Sequence, residues 1–179
     1  MELVNTYFLQ STVYAPNSSL PVLHYRNVLP YPATEENVTS FLTAHKWEKR
    51  GTWGHIPTRH FHPNSHECYG IFRGSSTIVL GVGGGDESGG LRVRVQAGDV
   101  IVLPAGTAHS MADSTEDYRY IGVYPEGCPR WRNELGEKPI SLADLRKEIQ
   151  SVGFPKQDPV FGTHGPMMRL WDLDVKSRL

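Results

Sequence analysis

The chain has 179 residues, a formal net charge of -1 and 39% hydrophobic residues, which suits one globular domain with a full core. That near-neutral balance excludes a surface that holds nucleic acid or a membrane by charge, and no apolar stretch approaches the roughly 20 residues that span a bilayer. Cys68 and Cys128 are the only cysteines and form neither a disulfide framework nor a zinc motif. The N-terminus, MELVNTYFLQ, lacks a basic n-region and a long apolar h-region, so no signal peptide is expected and the expected setting is reducing and cytoplasmic.

In chain order, Tyr7–Leu9 and Val22–Tyr25 read as short strands, and Pro30-Tyr31-Pro32 stops any regular element. Thr34 can N-cap a helix to about Lys46, since Val38, Phe41, Leu42 and His45 follow the i, i+3, i+4, i+7 pattern. His45 is then expected in the last turn, on or near the apolar face. From Gly54 to Pro125 the period changes to two. Ser76–Val82, Leu91–Gln96, Val100–Leu103 and Tyr118–Tyr124 read as strands, with turns at Ala97-Gly98-Asp99 and Ala105-Gly106-Thr107. The Gly83-Gly84-Gly85 run is a hairpin loop, because neither a Lys-Ser/Thr pair nor a helix follows it, as a phosphate-binding loop requires.

After Pro125, Ser141 and Asp144 read as the capping pair of a helix to about Ser151, with Leu142, Leu145 and Ile149 toward the barrel. Met167–Leu173 reads as an edge strand. Short, evenly spaced strands with no helix between them predict an all-β antiparallel sandwich or barrel with a few peripheral helices. With no long linker and no internal repeat, residues 1–179 read as one domain, its barrel core at about 50–125 and both extensions packed on it.

The chemistry concentrates in His60, His62, Glu67 and His109. Two histidines two apart on a strand point to one face. The Pro63-Asn64-Ser65 turn can return Glu67 to that interior face, and His109 arrives from a different strand pair just past Pro104-Ala105-Gly106. Three neutral imidazoles and a carboxylate suit one divalent transition metal (Fe, Mn, Ni, Cu, Co or Zn) and suit Mg or Ca poorly. Four such ligands on an octahedral ion would leave two positions for water, dioxygen or a bidentate substrate.

The spacing matches both cupin motifs. Gly54, His60, His62, Glu67 and Gly74 fill G-x5-H-x-H-x4-E-x6-G, and Gly98, Pro104, Gly106 and His109 fill G-x5-P-x-G-x2-H-x3-N. Asp113 stands where the second motif has Asn, at a position that is not a metal ligand. The motif-bearing part resembles the cupin superfamily. More narrowly HFHPNSHECYGIFRG, GDVIVLPAGTAH and Gly122-Val123-Tyr124-Pro125-Glu126-Gly127 resemble the small YjlB-like cupins. The resemblance implies a jelly-roll barrel, a metal between its sheets, and often a homodimer. His66 would fill the shorter acidic-ligand spacing that some cupins use. Strand parity lets only one of two neighbours face inward, and Glu67 is the preferred one.

By alternation Met111 shares the face of His109, and Tyr69 and Ile71 that of Glu67. The parity of Tyr118–Tyr124 stays open: burying Ile121 and Val123 would carry Arg119 inside, whereas burying Tyr118 and Tyr120 gives an aromatic pocket without a buried charge. Tyr69, Met111, Tyr118 and Tyr120 are therefore the pocket candidates, with Trp53 and Trp131 at its rim and His164 as a possible cover. His24 and His55 read as structural or surface residues, and Cys68 as a packed thiol. The expected function is a metal-dependent enzyme acting on a small-molecule substrate, foremost by oxidoreductase or dioxygenase-type chemistry. The alternatives are a non-redox lyase, isomerase or decarboxylase, and a non-catalytic metal or small-ligand binding cupin.

Overall fold

Among the described residues, 4–176, the computed structural model contains two antiparallel sheets. Strands β1 (Val4–Tyr7), β2 (Val22–Tyr25), β3 (Trp47–Trp53), β4 (Glu67–Arg73), β7 (Val100–Leu103) and β9 (Arg119–Pro125) make the larger sheet, in the order β1-β2-β7-β4-β9-β3. The smaller sheet joins β5 (Ser75–Leu80), β6 (Leu91–Gln96) and β8 (His109–Ser114) in the order β6-β5-β8. Helix α1 (Glu35–Thr43) lies between β2 and β3 in sequence, and α2 (Leu142–Gln150) and α3 (Pro166–Lys176) follow β9. The architecture is all-β, as the strand spacing predicts.

Residue alternation builds two cores. Val22, Tyr69, Ile71, Ile101, Leu103 and Tyr120 point between the sheets, onto Ile78, Leu80, Val93, Val95 and Met111 of the smaller one. Their neighbours Leu23, Cys68, Val100, Val102, Ile121 and Val123 point the other way, beneath Val38 and Leu42 of α1 and Met167 and Trp171 of α3. A sheet buried on both faces reads as unbroken apolar runs, and β2 and β7 are buried at every position. Each fully buried Ile or Val among them contributes about 1.5–3 kcal/mol. Gly70 permits the close approach of α1, since a Cβ there would lie 2.7 Å from both Val38 and Leu42.

Three expectations change. The helix begins after Thr34, whose side chain accepts the Asn37 N–H, but it stops at Thr43. Lys46 then takes a φ of 64° that turns the chain into β3. His45 consequently lies past the helix, with Nδ1 bonded to the Pro159 carbonyl at 2.9 Å and its ring edge-on to Phe41. Strand β3, Trp47–Trp53, was not expected: it falls between the helix read to about Lys46 and the alternating region read from Gly54. The segment read as an edge strand at Met167–Leu173 is helical: Met167 and Trp171, one helical repeat apart, are both fully buried, and the Trp171 indole donates to the Pro21 carbonyl at 3.1 Å. The first strand is also displaced, ending at Tyr7 and leaving Phe8 66% exposed. In α2, Leu145 packs against Ala15, Phe61 and Ala108 and Ile149 lies over Gly106, whereas the Leu142 side chain falls outside the described residues.

Candidate metal centre

The two motif segments are tied together by main chain. His60 and His109 exchange both backbone hydrogen bonds, at 3.1 and 2.9 Å, while Phe61 and Glu134 exchange theirs at 2.9 and 3.0 Å. This short bridged segment sends Phe61 outward to Ala15 and Ala108 and leaves His60 and His62 on the inner side. After the turn at Pro63 and Asn64, Glu67 opens β4 opposite Leu103. His109 opens β8 after a turn in which Gly106 adopts a φ of 84°, a conformation that glycine takes without steric cost.

One ligand atom from each of His60, His62 and His109 lies within 4.8 Å of the others, and all three side chains are buried. The Glu67 Oε2 oxygen sits 3.2 Å from His62 Nε2 and 3.3 Å from His109 Nε2. The far side of each ring is already committed. His60 Nδ1 meets the Thr58 carbonyl at 2.8 Å, His62 Nδ1 the Arg132 carbonyl at 3.1 Å, and His109 Nδ1 the Thr107 carbonyl at 2.9 Å. A carbonyl only accepts, so each Nδ1 carries a proton, and each Nε2 is the nitrogen turned inward, a lone-pair ligand whenever its ring is neutral. His109 Nε2 is buried with no hydrogen-bond partner. With neutral rings these nitrogens and the carboxylate are acceptors opposed to acceptors, and without an ion a proton shared between His62 Nε2 and Glu67 at 3.2 Å relieves the opposition. A cation between them satisfies all of them, and outer-side carbonyls of this kind are the usual means of orienting metal-binding histidines.

The electrostatics follow. Burial would raise the Glu67 carboxyl, but the facing His62 and His109 rings outweigh it and hold the group well below the usual carboxylate range. Burial pulls His62 down, and the Glu67 charge with the Arg132 carbonyl more than reverses this, so its pKa is raised. Burial and then the charge of His109 push His60 down to about 3. The other Glu67 oxygen, Oε1, accepts a hydrogen bond from the Tyr124 hydroxyl at 2.5 Å, which fixes the carboxylate with Oε2 toward the imidazoles.

A cavity of about 330 Å³ reaches His60, His62 and Glu67 and is walled by Trp53, Tyr69, Tyr120, Tyr124 and Trp131. Trp53 and Trp131 meet edge to face at 5.9 Å, and Trp131 stacks on Tyr124 at 4.9 Å. The Trp53 indole lies over Gly51 and Gly122, where an added Cβ would come within 2.3 and 2.2 Å of it. Tyr69 and Tyr120 therefore lie where alternation puts them. Met111 and Tyr118 do not line this cavity: both sit in the core between the sheets, with the Met111 sulfur accepting the Ile56 N–H at 3.2 Å. The choice posed for β9 dissolves, because both of its faces are buried. Ile121 and Val123 lie under α1 and α3, while Arg119 stays exposed at the strand's start.

Sequence reasoning passed over Tyr124, Ile56, Thr58, Asn133 and Leu135 as pocket residues. Tyr124 had a signal, since it shares the parity of Tyr118 and Tyr120. His66 points away from the cluster. Its Nδ1 accepts the Ala105 N–H at 3.0 Å, its ring packs 4.9 Å from Trp171, and burial lowers it to about 4. His24 donates through Nε2 to Asp99 at 3.0 Å in a buried pair, and His55 meets the Ser114 hydroxyl on the surface at 2.8 Å. His164 is exposed in a loop anchored to the outer face of the larger sheet, so it does not cover the cavity. Cys68 is packed in the outer core, where burial raises its thiol. Asp113 sits on the surface and accepts from the Thr77 hydroxyl at 2.9 Å, away from the imidazoles.

Residues 56–129 match the family model described as Cupin. Over 167 residues the chain is 29% identical to the uncharacterized protein YjlB of Bacillus subtilis (strain 168), covering 93% of this chain and 95% of that protein. Among solved structures, it aligns to an uncharacterized conserved protein with a double-stranded β-helix domain from Klebsiella pneumoniae subsp. pneumoniae MGH 78578. The identity is 16%, the coverage 76% of this chain and 82% of that one, and the TM-score 0.35. A second alignment, to the Mn(II)-containing oxalate decarboxylase of Bacillus subtilis, has 16% identity, covers 70% of this chain but only 30% of that one, and has a TM-score of 0.37. Among the described residues no helix is long and apolar enough to cross a membrane. The paired motifs, the two-sheet barrel that carries them and the likeness to YjlB along nearly the whole length support a small cupin of the YjlB type.

Proposed function

We propose that the chain is a metal-dependent enzyme acting on a small organic molecule, with His60, His62, Glu67 and His109 holding one divalent transition metal. The observation that carries this reading is the buried His109 Nε2, which has no hydrogen-bond partner and faces the Glu67 carboxylate at 3.3 Å. A divalent ion there would satisfy the imidazole lone pairs and the carboxylate together, which a proton on one ring does for that ring alone. Such an ion, when bound, supplies Lewis acidity to substrate oxygens and, if it is redox-active, oxidoreductase or dioxygenase-type chemistry.

The protein's own part is to position and to exclude. Tyr124 holds the carboxylate, and the Trp53 and Trp131 rings narrow the access of water. Tyr69 and Tyr120 line the cavity, and burial raises both hydroxyls well above their ordinary value. They stay protonated at neutral pH and can donate to a substrate oxygen. A closed four-ligand zinc that merely staples the sheets is the competing reading. The cavity reaching His60, His62 and Glu67 favours an open site.

Elemental analysis of protein purified without added metal tests the ligand set. His62→Ala and His109→Ala are expected to lose most of the bound metal, while His24→Ala keeps it. Full occupancy in His109→Ala would sink the assignment. Substrate screening under air and under argon then separates dioxygen-dependent chemistry from lyase, isomerase or decarboxylase chemistry.

A further inference from the structure

The cavity walls carry a second message, about what the site takes in. None of the residues lining it is Lys or Arg. Four guanidinium groups lie close by in the chain, at Arg50, Arg59, Arg130 and Arg132, and none is among the lining residues; Arg59 donates to the Gly83 and Asp86 carbonyls. Arg50 sits 5.4 Å from the Tyr124 ring centre and donates to the Cys128 and Pro129 carbonyls. Arg130 sits 5.7 Å from the Trp131 ring centre. Arg132 is held by Glu134 and Glu148 at 2.8–3.0 Å. Beside His60 and His62, the pocket is thus built from aromatic faces, one carboxylate, neutral polar groups (Thr58, Asn133 and three tyrosines) and the aliphatic Ile56 and Leu135.

We propose that this pocket selects a planar, conjugated molecule bearing two adjacent oxygen donors, of the 1,2-dihydroxyaromatic kind, and rejects dicarboxylates. The proposal rests on the metal-centre reading and deepens it. A divalent ion beside Glu67 leaves one net positive charge, which matches a ligand that is neutral or has lost one proton. A dicarboxylate brings two negative charges into a cavity whose lining residues include no Lys or Arg to meet them, and an unmatched buried charge is costly. The aromatic walls act in the same direction. Trp53, Tyr120, Tyr124 and Trp131 offer ring faces and edges to a flat partner, and each such aromatic pair contributes about 0.5–1.5 kcal/mol beyond its buried area. A cavity of about 330 Å³ lies at the small end of the range for small-molecule sites.

The test uses Zn(II)-loaded full-length protein, so that no redox step intervenes, with zinc content fixed by equilibrium dialysis and elemental analysis. Isothermal titration then compares catechol, resorcinol and oxalate. Catechol is expected to bind at least about tenfold more tightly than either of the others. Trp131→Leu is expected to weaken catechol by about three- to tenfold, the worth of one aromatic pair, without changing zinc content. Trp53→Phe provides the same comparison should Trp131→Leu fail to take up zinc. Oxalate binding as tightly as catechol, or catechol binding unchanged in a zinc-loaded tryptophan variant, overturns the substrate class and leaves the metal centre standing. Failure of the native protein to take up zinc overturns the metal centre, and this proposal with it.

Discussion

The larger sheet buries a carboxylate beside each face, and the two could hardly be treated more differently. On the outer side Asp158 accepts from four donors: the Tyr25 hydroxyl at 2.6 Å and the backbone N–H groups of Val160, Phe161 and Met167 at 2.8–3.0 Å. On the inner side Glu67 accepts from the Tyr124 hydroxyl and shares one hydrogen bond with His62 Nε2 at 3.2 Å, while His109 Nε2 faces it at 3.3 Å without a hydrogen-bond partner. The first carboxylate is complete within the fold and serves it. The second stands among three buried imidazoles positioned for a metal ion, and such an ion would complete it. Burial alone does not separate a structural acid from a functional one; the supply of donors does.

Each expected effect presses on that contrast. Asp158→Ala strands the Tyr25 hydroxyl and three backbone N–H groups in the core, and a loss of about 3 kcal/mol is expected in denaturant unfolding of the metal-free protein. Glu67→Gln should behave in the opposite way. Its amide can donate to a bare Nε2, so the metal-free variant is expected to melt no lower than the parent while its metal affinity falls about 100-fold. A marked loss of metal-free stability in Glu67→Gln would erase the distinction between the two acids.

The dependence on pH sharpens it further. His60 and His66 have folded pKa values lowered to about 3 and about 4, chiefly by burial. The unfolded chain takes up their protons near 6.5 and the fold does not, so their stabilising contribution is intact above 6.5 and is lost as pH falls toward 4. Each contributes a slope of about 1.4 kcal/mol per pH unit in that window. His66→Gln in metal-free protein is expected to remove one such contribution, which chemical denaturation at several pH values would reveal. Smallest is Tyr124→Phe, which frees the Glu67 carboxylate to turn. Metal affinity is expected to drop about tenfold with the fold intact, measured by chelator competition.

Much of this was legible in the residues. The parity of His60, His62 and Glu67 survives folding, and His66 falls on the wrong side of β4 as parity requires. Strands β5 to β7 lie within a residue or two of their alternating runs. What escaped did so for physical reasons. A half-buried strand betrays its inner face by hydrophobicity, but β9 is covered on both sides, so Ile121 and Tyr120 compete for the same inference and Tyr124 was lost with it. The run Met167–Leu173 is too short for periodicity to separate strand from helix, and the burial of Met167 beside Trp171 is a tertiary fact. Strand β3 vanished because the pattern of α1 runs on through His45, and only the backbone turn at Lys46 ends it.

The main-chain exchange between His60 and His109 carries one more consequence, concerning the order of events in the life of the protein. In a zinc finger the ion closes the fold, and an ion-free chain is an unfolded one. Here peptide groups close the junction between the motif segments, and a packed core lies on either side of the larger sheet. On the metal-centre proposal the barrel is finished first and loaded afterwards, and it meets an ion as a gauge already cut. The identity of a bound metal would then be settled at delivery, reflecting which ions the surroundings supply as well as which the ligands prefer.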